Sequence, residues 1–218
     1  LKSWENHMLS VSAYYRTTED IMQRISYMEN GIMYSTSDNV AQSLSSGVEI
    51  VGKNRFFGQL DLTTTLNMYY YKLDAFDFLL PNGEYLHGKA SEDFSWNLRM
   101  MANMGLPKAW SLQVTGMYNA KSVIAQGYRA PNYGLDAGVR KQFAGGKWSV
   151  SLNGRDLLNS RRFHSEKWGP DFYQNSSNFR GGRQISGTLT YSFGNMRAKK
   201  PRKMDNGGMQ PEYGGGDG

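Results

Sequence analysis

The chain repeatedly alternates bulky apolar residues with small polar ones, the pattern of a β-strand with one apolar and one polar face. In the stretch GTLTYSFGN, Leu189, Tyr191 and Phe193 are separated by a threonine and a serine. No helical pattern competes with this period elsewhere in the sequence. The alternation predicts about eight strands, at 6–17, 41–56, 60–74, 94–106, 110–124, 132–143, 148–159 and 183–194.

The connections between these predicted strands differ systematically in length. FFGQ, GLPKAW and FAGGKW are short and rich in glycine, proline or lysine, whereas we interpret 18–40, 75–93 and 164–182 as long loops. The segment TTEDIMQRISYMENG is interpreted as part of a loop, and GYRAP is a shorter exception. Short turns at one end and long loops at the other are typical of outer-membrane β-barrels, whose short turns are periplasmic.

Aromatic residues gather near the ends of the predicted strands, as in the interfacial girdles of a membrane barrel. The strands are also longer than the usual five or six residues of globular strands. Their polar positions favour serine, threonine and asparagine over charged residues. The girdle candidates beside the short turns and at the end of the last strand are Phe56, Trp110, Phe143, Trp148 and Phe193. The candidates toward the long loops are Tyr15, Tyr69, Tyr70, Phe94, Trp96, Tyr118 and Tyr133.

Composition narrows the function classes. The 218 residues contain no cysteine, and the three histidines lack the spacing of metal ligands. We find no nucleophile motif and no phosphate-binding loop. We therefore expect no enzyme activity, no catalytic residues, no metal and no cofactor. No apolar stretch approaches the roughly 20 residues of a transmembrane helix.

The net charge of +6 is concentrated near the end of the sequence. Five basic residues fall between Arg197 and Lys203 without interleaved aromatic residues, and a glycine-rich segment follows. We predict that 195–218 is a disordered tail after a barrel domain at 1–194. For such a tail we expect either contact with anionic lipid head groups or simple solubility, rather than nucleic-acid binding.

Two groups of residues are candidates for solute binding. Charged residues on the predicted polar face either line a solute pathway or contact a plug, or they are paired charges that stabilise the wall. Aromatic residues in the long loops either capture a ligand or pack the loops together. The lumen-facing candidates are Glu49, Asp61, Arg99, Asp136, Arg140 and Arg155. The extracellular-loop candidates are Phe78, Tyr85, Trp168, Phe172, Tyr173 and Phe179.

The last part of the sequence resembles the C-terminal end of TonB-dependent receptors, in particular the outer-membrane β-barrel family of Bacteroidetes-type receptors. The resemblance depends on Asp156-Leu157-Leu158-Asn159 and on a final strand that begins with an arginine and ends in Tyr191-Ser192-Phe193-Gly194. Its specific part covers about 150–203. This sequence departs from barrels that stop at the terminal phenylalanine, because it continues beyond Phe193.

The resemblance implies that the eight strands are the last strands of a larger, 22-stranded barrel in the bacterial outer membrane. It implies energy-coupled uptake of a nutrient, with long loops outside the cell and a periplasmic tail. The implied partners are membrane lipid and lipopolysaccharide, the preceding strands and plug of the same parent chain, a TonB-like energy transducer that contacts an N-terminal segment, and a surface lipoprotein. Two alternatives remain open from the residues: a complete eight-stranded barrel acting as an anchor, adhesin or small-ligand binder, and a soluble β-sandwich or lectin-like module.

Overall fold

The computed structural model describes residues 2–4, 6–179 and 181–193. It is built almost entirely of antiparallel strands, which confirms the predicted all-β class. The strands are β1 (Lys2–Trp4), β2 (His7–Glu29), β3 (Ile32–Phe56), β4 (Leu60–Leu73), β5 (Phe76–Leu79), β6 (Tyr85–Gly88), β7 (Ser91–Leu106), β8 (Trp110–Asn119), β9 (Ser122–Ile124), β10 (Gly127–Arg129), β11 (Asn132–Phe143), β12 (Trp148–Arg155), β13 (Arg162–Trp168), β14 (Tyr173–Phe179) and β15 (Gln184–Tyr191). The predicted tail, 195–218, lies outside the described residues.

Nine strands form the main sheet, in the order β1-β2-β3-β4-β7-β8-β11-β12-β15. Each of the eight predicted strands corresponds to one long strand of this sheet, and the short β1 is additional. In the described part of the chain, β1 and β15 are the end strands. Short turns connect β3 to β4, β7 to β8 and β11 to β12 at one end of the strands.

The cross-strand register assigns one side-chain type to each face of the sheet. One row on the apolar face consists of Val11, Ile50, Leu66, Leu98, Tyr118 and Tyr133. A row on the polar face consists of Ser12, Glu49, Asn67, Asn97, Asn119 and Asn132. Because side chains alternate along every strand, this register keeps the two sets on opposite sides.

The long connections were wrongly interpreted as loops. The segment 18–40 continues β2 and β3 into an extended hairpin, with register shifts at Thr18, Ile21 and Met22. The segment 75–93 contains the β5–β6 hairpin and the start of β7. Strands β13 and β14 join β10 and β9 in a four-stranded sheet with the order β14-β13-β10-β9. Hairpins exposed on two sides lack a continuous apolar face, so the alternation that predicted the main sheet is weak there.

Two predicted strands are cut short by turns. The predicted strand 110–124 is interrupted after Asn119, where the chain turns into the short β9. The predicted strand 148–159 ends at Arg155, because Asp156 and Asn159 adopt φ values of 50° and 55°. The carboxylate of Asp156 accepts hydrogen bonds from the backbone N–H groups of Ser160, at 3.0 Å, and Arg161, at 3.3 Å. The Asp156–Asn159 motif is therefore a turn rather than the end of a strand.

The hairpins at the end of the sheet opposite the short turns are joined by a small core and one long-range hydrogen-bonded pair. The core contains Ile25, Ala41, Leu73, Phe76, Leu86 and Ala125, all buried. The side chain of Gln126 accepts a hydrogen bond from the N–H of Ser26 at 2.7 Å and donates one to its carbonyl at 2.8 Å. These contacts join the β2–β3 extension, the β5–β6 hairpin and the β9–β10 turn into one layer, which we call the cap.

Gly47 of β3 provides a test of the packing on the polar face. A Cβ atom at this position would lie 2.5 Å from the Met68 carbonyl oxygen and 2.8 Å from the Tyr14 hydroxyl. We expect Gly47→Ala to lower the free energy of unfolding by about 1–3 kcal/mol, because the obstructing carbonyl belongs to the neighbouring strand. The measurement is the urea midpoint of unfolding in detergent micelles.

The matched control is Gly116→Ala, because a Cβ at Gly116 meets nothing within 4 Å. This control is expected to leave the midpoint unchanged or to raise it slightly. Equal losses in both variants would contradict the close packing around Gly47.

Candidate functional site

The apolar face exposes large side chains that a surrounding of lipid would cover. Val11 is 57% exposed, Leu152 is 52% exposed and Leu189 is 66% exposed. The apolar positions of β4 run from Leu60 to Tyr70, about 33 Å along the strand at about 3.3 Å per residue. A strand tilt of about 40° reduces this to about 25 Å, the height of the apolar band of outer-membrane barrels.

The predicted girdle residues lie on this face at the end of the strands where the short turns are. The rings of Trp148 and Tyr191 are 4.3 Å apart, and those of Tyr191 and Phe193 are 6.2 Å apart. Phe143 pairs with Trp148 across β11 and β12. Phe56 lies in the corresponding position on β3, where its ring is 5.6 Å from that of His7.

The sequence interpretation missed Lys141 in this girdle. Its ammonium group lies 5.1 Å from the ring centre of Trp110 and donates to the carbonyl of Lys108 in the short turn. The apolar stem thus crosses the apolar face while the charge reaches the turn, as expected of a lysine at a membrane interface. At the opposite rim, Tyr69 was misassigned, because the register places it between Gly47 and Ser95 on the polar face.

All six predicted lumen-facing residues lie on the polar face. Asp61 forms an ion pair with Arg55 at 2.6 Å, and Asp136 forms one with Arg161 at 2.7 Å. Arg140 donates a hydrogen bond to Ser149 at 3.2 Å. Within the described ranges, the side chains of the other three residues make no hydrogen bond or ion pair. These three are Glu49, Arg99 and Arg155.

Arg161 is a second residue that sequence reasoning missed. It lies directly after the Asp156–Asn159 turn, and its guanidinium group reaches back to Asp136 on β11. Asp136 also accepts a hydrogen bond from the N–H of Asp156 at 2.8 Å. The turn and the wall of the sheet are therefore joined through one carboxylate.

The six loop candidates divide between two hairpins. Phe78 packs against the buried cap core, whereas Tyr85 is 59% exposed and stacks on His87. On the other hairpin, Trp168 and Tyr173 face each other across β13 and β14. Phe172 and Phe179 lie at the two ends of β14, and Phe179 contacts the Arg162 guanidinium at 5.6 Å.

A polar cavity of about 750 Å³ lies where the polar face of the sheet meets the cap. Its walls come from β2, β3, β4, β7, β9, β10 and β13. It contains four basic side chains, several serines and one carboxylate. These residues are Arg16, Arg24, Arg129, Lys167, Ser37, Ser43, Ser45, Ser95, Ser122, Ser165 and Asp93.

Other site chemistry is limited in the described part of the chain. No group of three or more histidine, aspartate or glutamate side chains is arranged to hold a metal ion there. None of the helices formed by those residues has the length and apolar character that a membrane crossing requires.

An antiparallel sheet with one apolar face, one polar face and an aromatic rim defines a transmembrane β-barrel protein. The chain belongs to the outer membrane protein beta-barrel family, whose model matches residues 1–191. Family membership confirms the predicted location in the outer membrane and excludes the soluble β-sandwich alternative. No curated protein and no solved structure matches the chain.

The assignment of the two faces can be tested on adjacent residues of β8. Val114 lies on the apolar face near the middle of the strand, and Thr115 lies on the polar face. We expect Val114→Lys to lower stability by about 2–4 kcal/mol, since a lysine near the bilayer midplane has a cost of that order. The assay is folding into lipid vesicles followed by urea titration.

The control is Thr115→Lys, which we expect to fold at nearly the wild-type level. Its new charge faces Asp136, the cross-strand partner of Thr115, and stays out of lipid. Similar behaviour of the two variants would contradict the assignment of the faces.

The environment of Glu166 predicts that the stability of the four-stranded sheet depends on pH. Hydrogen bonds from the hydroxyls of Tyr128 and Tyr173 lower the pKa of this carboxyl below its ordinary value of 4.5. A lowered pKa in the folded state adds stability above the unfolded value, and this contribution is lost as pH falls through the folded value. We therefore expect amide-exchange protection in β13 and β14 to decrease in acid below pH 4.5.

The control variant is Glu166→Gln, in which this acid-dependent loss should disappear. Exchange would be compared at matched intrinsic rates, so that the chemistry of exchange itself does not produce the trend. An unchanged pH profile in the variant would show that another group is responsible.

Proposed function

We propose that the protein is the C-terminal portion of an outer-membrane receptor that takes up a nutrient solute by energy-coupled transport. In this proposal, the main sheet is one sector of a larger barrel. The cap hairpins are on the outside of the cell, and the short turns and the tail are periplasmic. The partners are further strands and a plug of the same parent chain, a TonB-like energy transducer and a surface lipoprotein.

The observation that carries the proposal is that the main sheet has two edges without a strand partner among the described residues. Strand β1 pairs with β2 only at His7–Leu9, and β15 pairs only with β12. Unpaired backbone groups in hydrocarbon cost several kcal/mol each, so membrane sheets close into barrels. If the described sheet closed on itself, β2 would pair with β15. If further strands filled the gap between these two edges, the barrel would be wider.

The polar face also supports a wide barrel rather than a filled one. The interior of an eight-stranded barrel is just wide enough to be filled by its own side chains. Here a whole row across the polar face consists of hydrophilic side chains and one glycine: Arg55, Asp61, Asn103, Gln113, Gly138, Asn153 and Ser186. A cavity under the cap adds space at the outer end. Both features favour a route for a solute over a sealed anchor.

Cross-linking distinguishes the two forms of closure. The 218 residues contain no cysteine, so introduced pairs will be the only thiols in this part of the protein. We expect Ser12→Cys with Thr188→Cys to remain uncross-linked in the native protein, because intervening strands separate β2 from β15. The measurement is the gel mobility of the oxidised protein in outer membranes.

The positive control is Ser151→Cys with Thr188→Cys, since these residues are direct cross-strand partners. Pairs that combine Ser10 or Ser12 with Ser186 or Thr188 would cover alternative registers. A cross-link between β2 and β15 in any of these pairs would support the eight-stranded anchor and contradict the proposed receptor. Energy coupling is tested separately, as loss of solute accumulation when a protonophore collapses the proton gradient.

A further inference from the structure

The cavity under the cap brings together positive charges from distant parts of the chain. Arg16 and Arg24 come from β2, Arg129 from β10 and Lys167 from β13. A bulge near Asp20, with a φ of 50°, lies between the two β2 arginines and separates the membrane part of the hairpin from its extension. Basic groups thus reach the cavity both from the polar face of the main sheet and from the hairpins that cover it.

The cross-strand partners of these arginines are serines rather than carboxylates. Arg16 pairs with Ser45, and Arg24 pairs with Ser37. Arg129 lies between Ser122 and Ser165, which pair with it from both sides. Opposite charges are the usual stabilising neighbours of an arginine in a sheet. Serines instead leave each guanidinium group without a countercharge and add hydroxyl donors around it.

None of the three arginines makes a side-chain hydrogen bond or ion pair within the described ranges. Lys167 is half-buried, and its pKa is lowered by burial and by the charges of Arg24 and Arg129. Like charges that line one cavity repel one another, and a bound anion would remove that repulsion.

The nearby carboxylates do not neutralise the cluster. Asp93 is the carboxylate that lines the described cavity, and it lies 3.6 Å from Lys121. Glu166 precedes Lys167 on β13, so its side chain points to the opposite side of the strand. There it accepts a hydrogen bond from the Tyr173 hydroxyl at 3.0 Å. The cavity therefore keeps an excess of positive charge.

We propose that this cavity binds a small solute that carries two or more carboxylate or phosphate groups. Arginine forks bind such groups with two parallel hydrogen bonds, and the serine hydroxyls complete the donor set. The inference deepens the proposed receptor function by naming the class of solute. It rests on that function only for the direction of transport, since anion binding itself is a property of the cavity.

The experiment is calorimetric titration of the full native chain, in neutral detergent, with citrate and with inorganic pyrophosphate. Triethyl citrate, which lacks the charges, is the control ligand. We expect saturable binding of at least one anion and none of the ester. Arg24→Gln and Arg129→Gln should each weaken binding about 10-fold or more, as expected for the loss of a charge-assisted hydrogen bond.

The charge-matched control is Lys53→Gln. Lys53 lies on the polar face of β3, near the short turn that follows this strand. It lies about 26 Å along the strand from Ser45, at about 3.3 Å per residue, and should change the affinity less than twofold. Arg129→Lys, which keeps the charge, should retain part of the binding. Gel mobility is measured before and after boiling. A variant that shows the same mobility difference as wild type is folded.

Three results would overturn the inference: no saturable binding of either anion, equal weakening by Lys53→Gln, or complete displacement of the anion by lipopolysaccharide. The last result would assign the site to the phosphates of a lipid rather than to a solute. Anion binding without energy-coupled uptake would keep the site and overturn the receptor proposal. Energy-coupled uptake of an uncharged solute without anion binding would do the reverse.

Discussion

The backbone hydrogen bonds of the main sheet are the constraint on which the rest of the structure depends. Hydrocarbon offers no partner for a peptide group, so every strand in the membrane must pair along its length. Continuous antiparallel pairing fixes the register, and the register places Val11 and Ile50 on the lipid side with Ser12 and Glu49 behind them. The same pairing relieves the polar face of any need to form a core. That face is therefore free to carry serine, asparagine and charge.

The charges of the polar face have two different roles along the strands. Two ion pairs lie on the sheet outside the cap cavity: Arg55 with Asp61 near a short turn, and Arg161 with Asp136 at the Asp156–Asn159 turn. These pairs support the interpretation of stabilising charges for these residues. Under the cap, Arg24 and Arg129 face serines instead of acids. The two interpretations of the polar charges, stabilising pairs and a solute site, thus apply to different groups of residues.

The sequence predicted the membrane sheet well because lipid imposes a strict pattern on it. A strand with one face in hydrocarbon must alternate, so its period is visible without any knowledge of its partners. The cap has no such constraint. Ser26 and Gln126 are 100 positions apart, and neither shows in the sequence that it has a partner. The sequence also gives no sign that Arg161 contacts Asp136, because this contact depends on a turn that was predicted to be the end of a strand.

The cap also determines what the basic cavity can do. If the hairpins were independent loops, Arg24 and Arg129 would move apart, and water and salt would screen their repulsion. The paired hydrogen bonds between Gln126 and Ser26, together with buried Ile25, hold the two hairpins in place. Repulsion among the cations is then retained in the folded protein, at a cost that the cap contacts offset. An anion that enters the cavity removes this cost, so binding should tighten the cap, and loosening the cap should weaken binding.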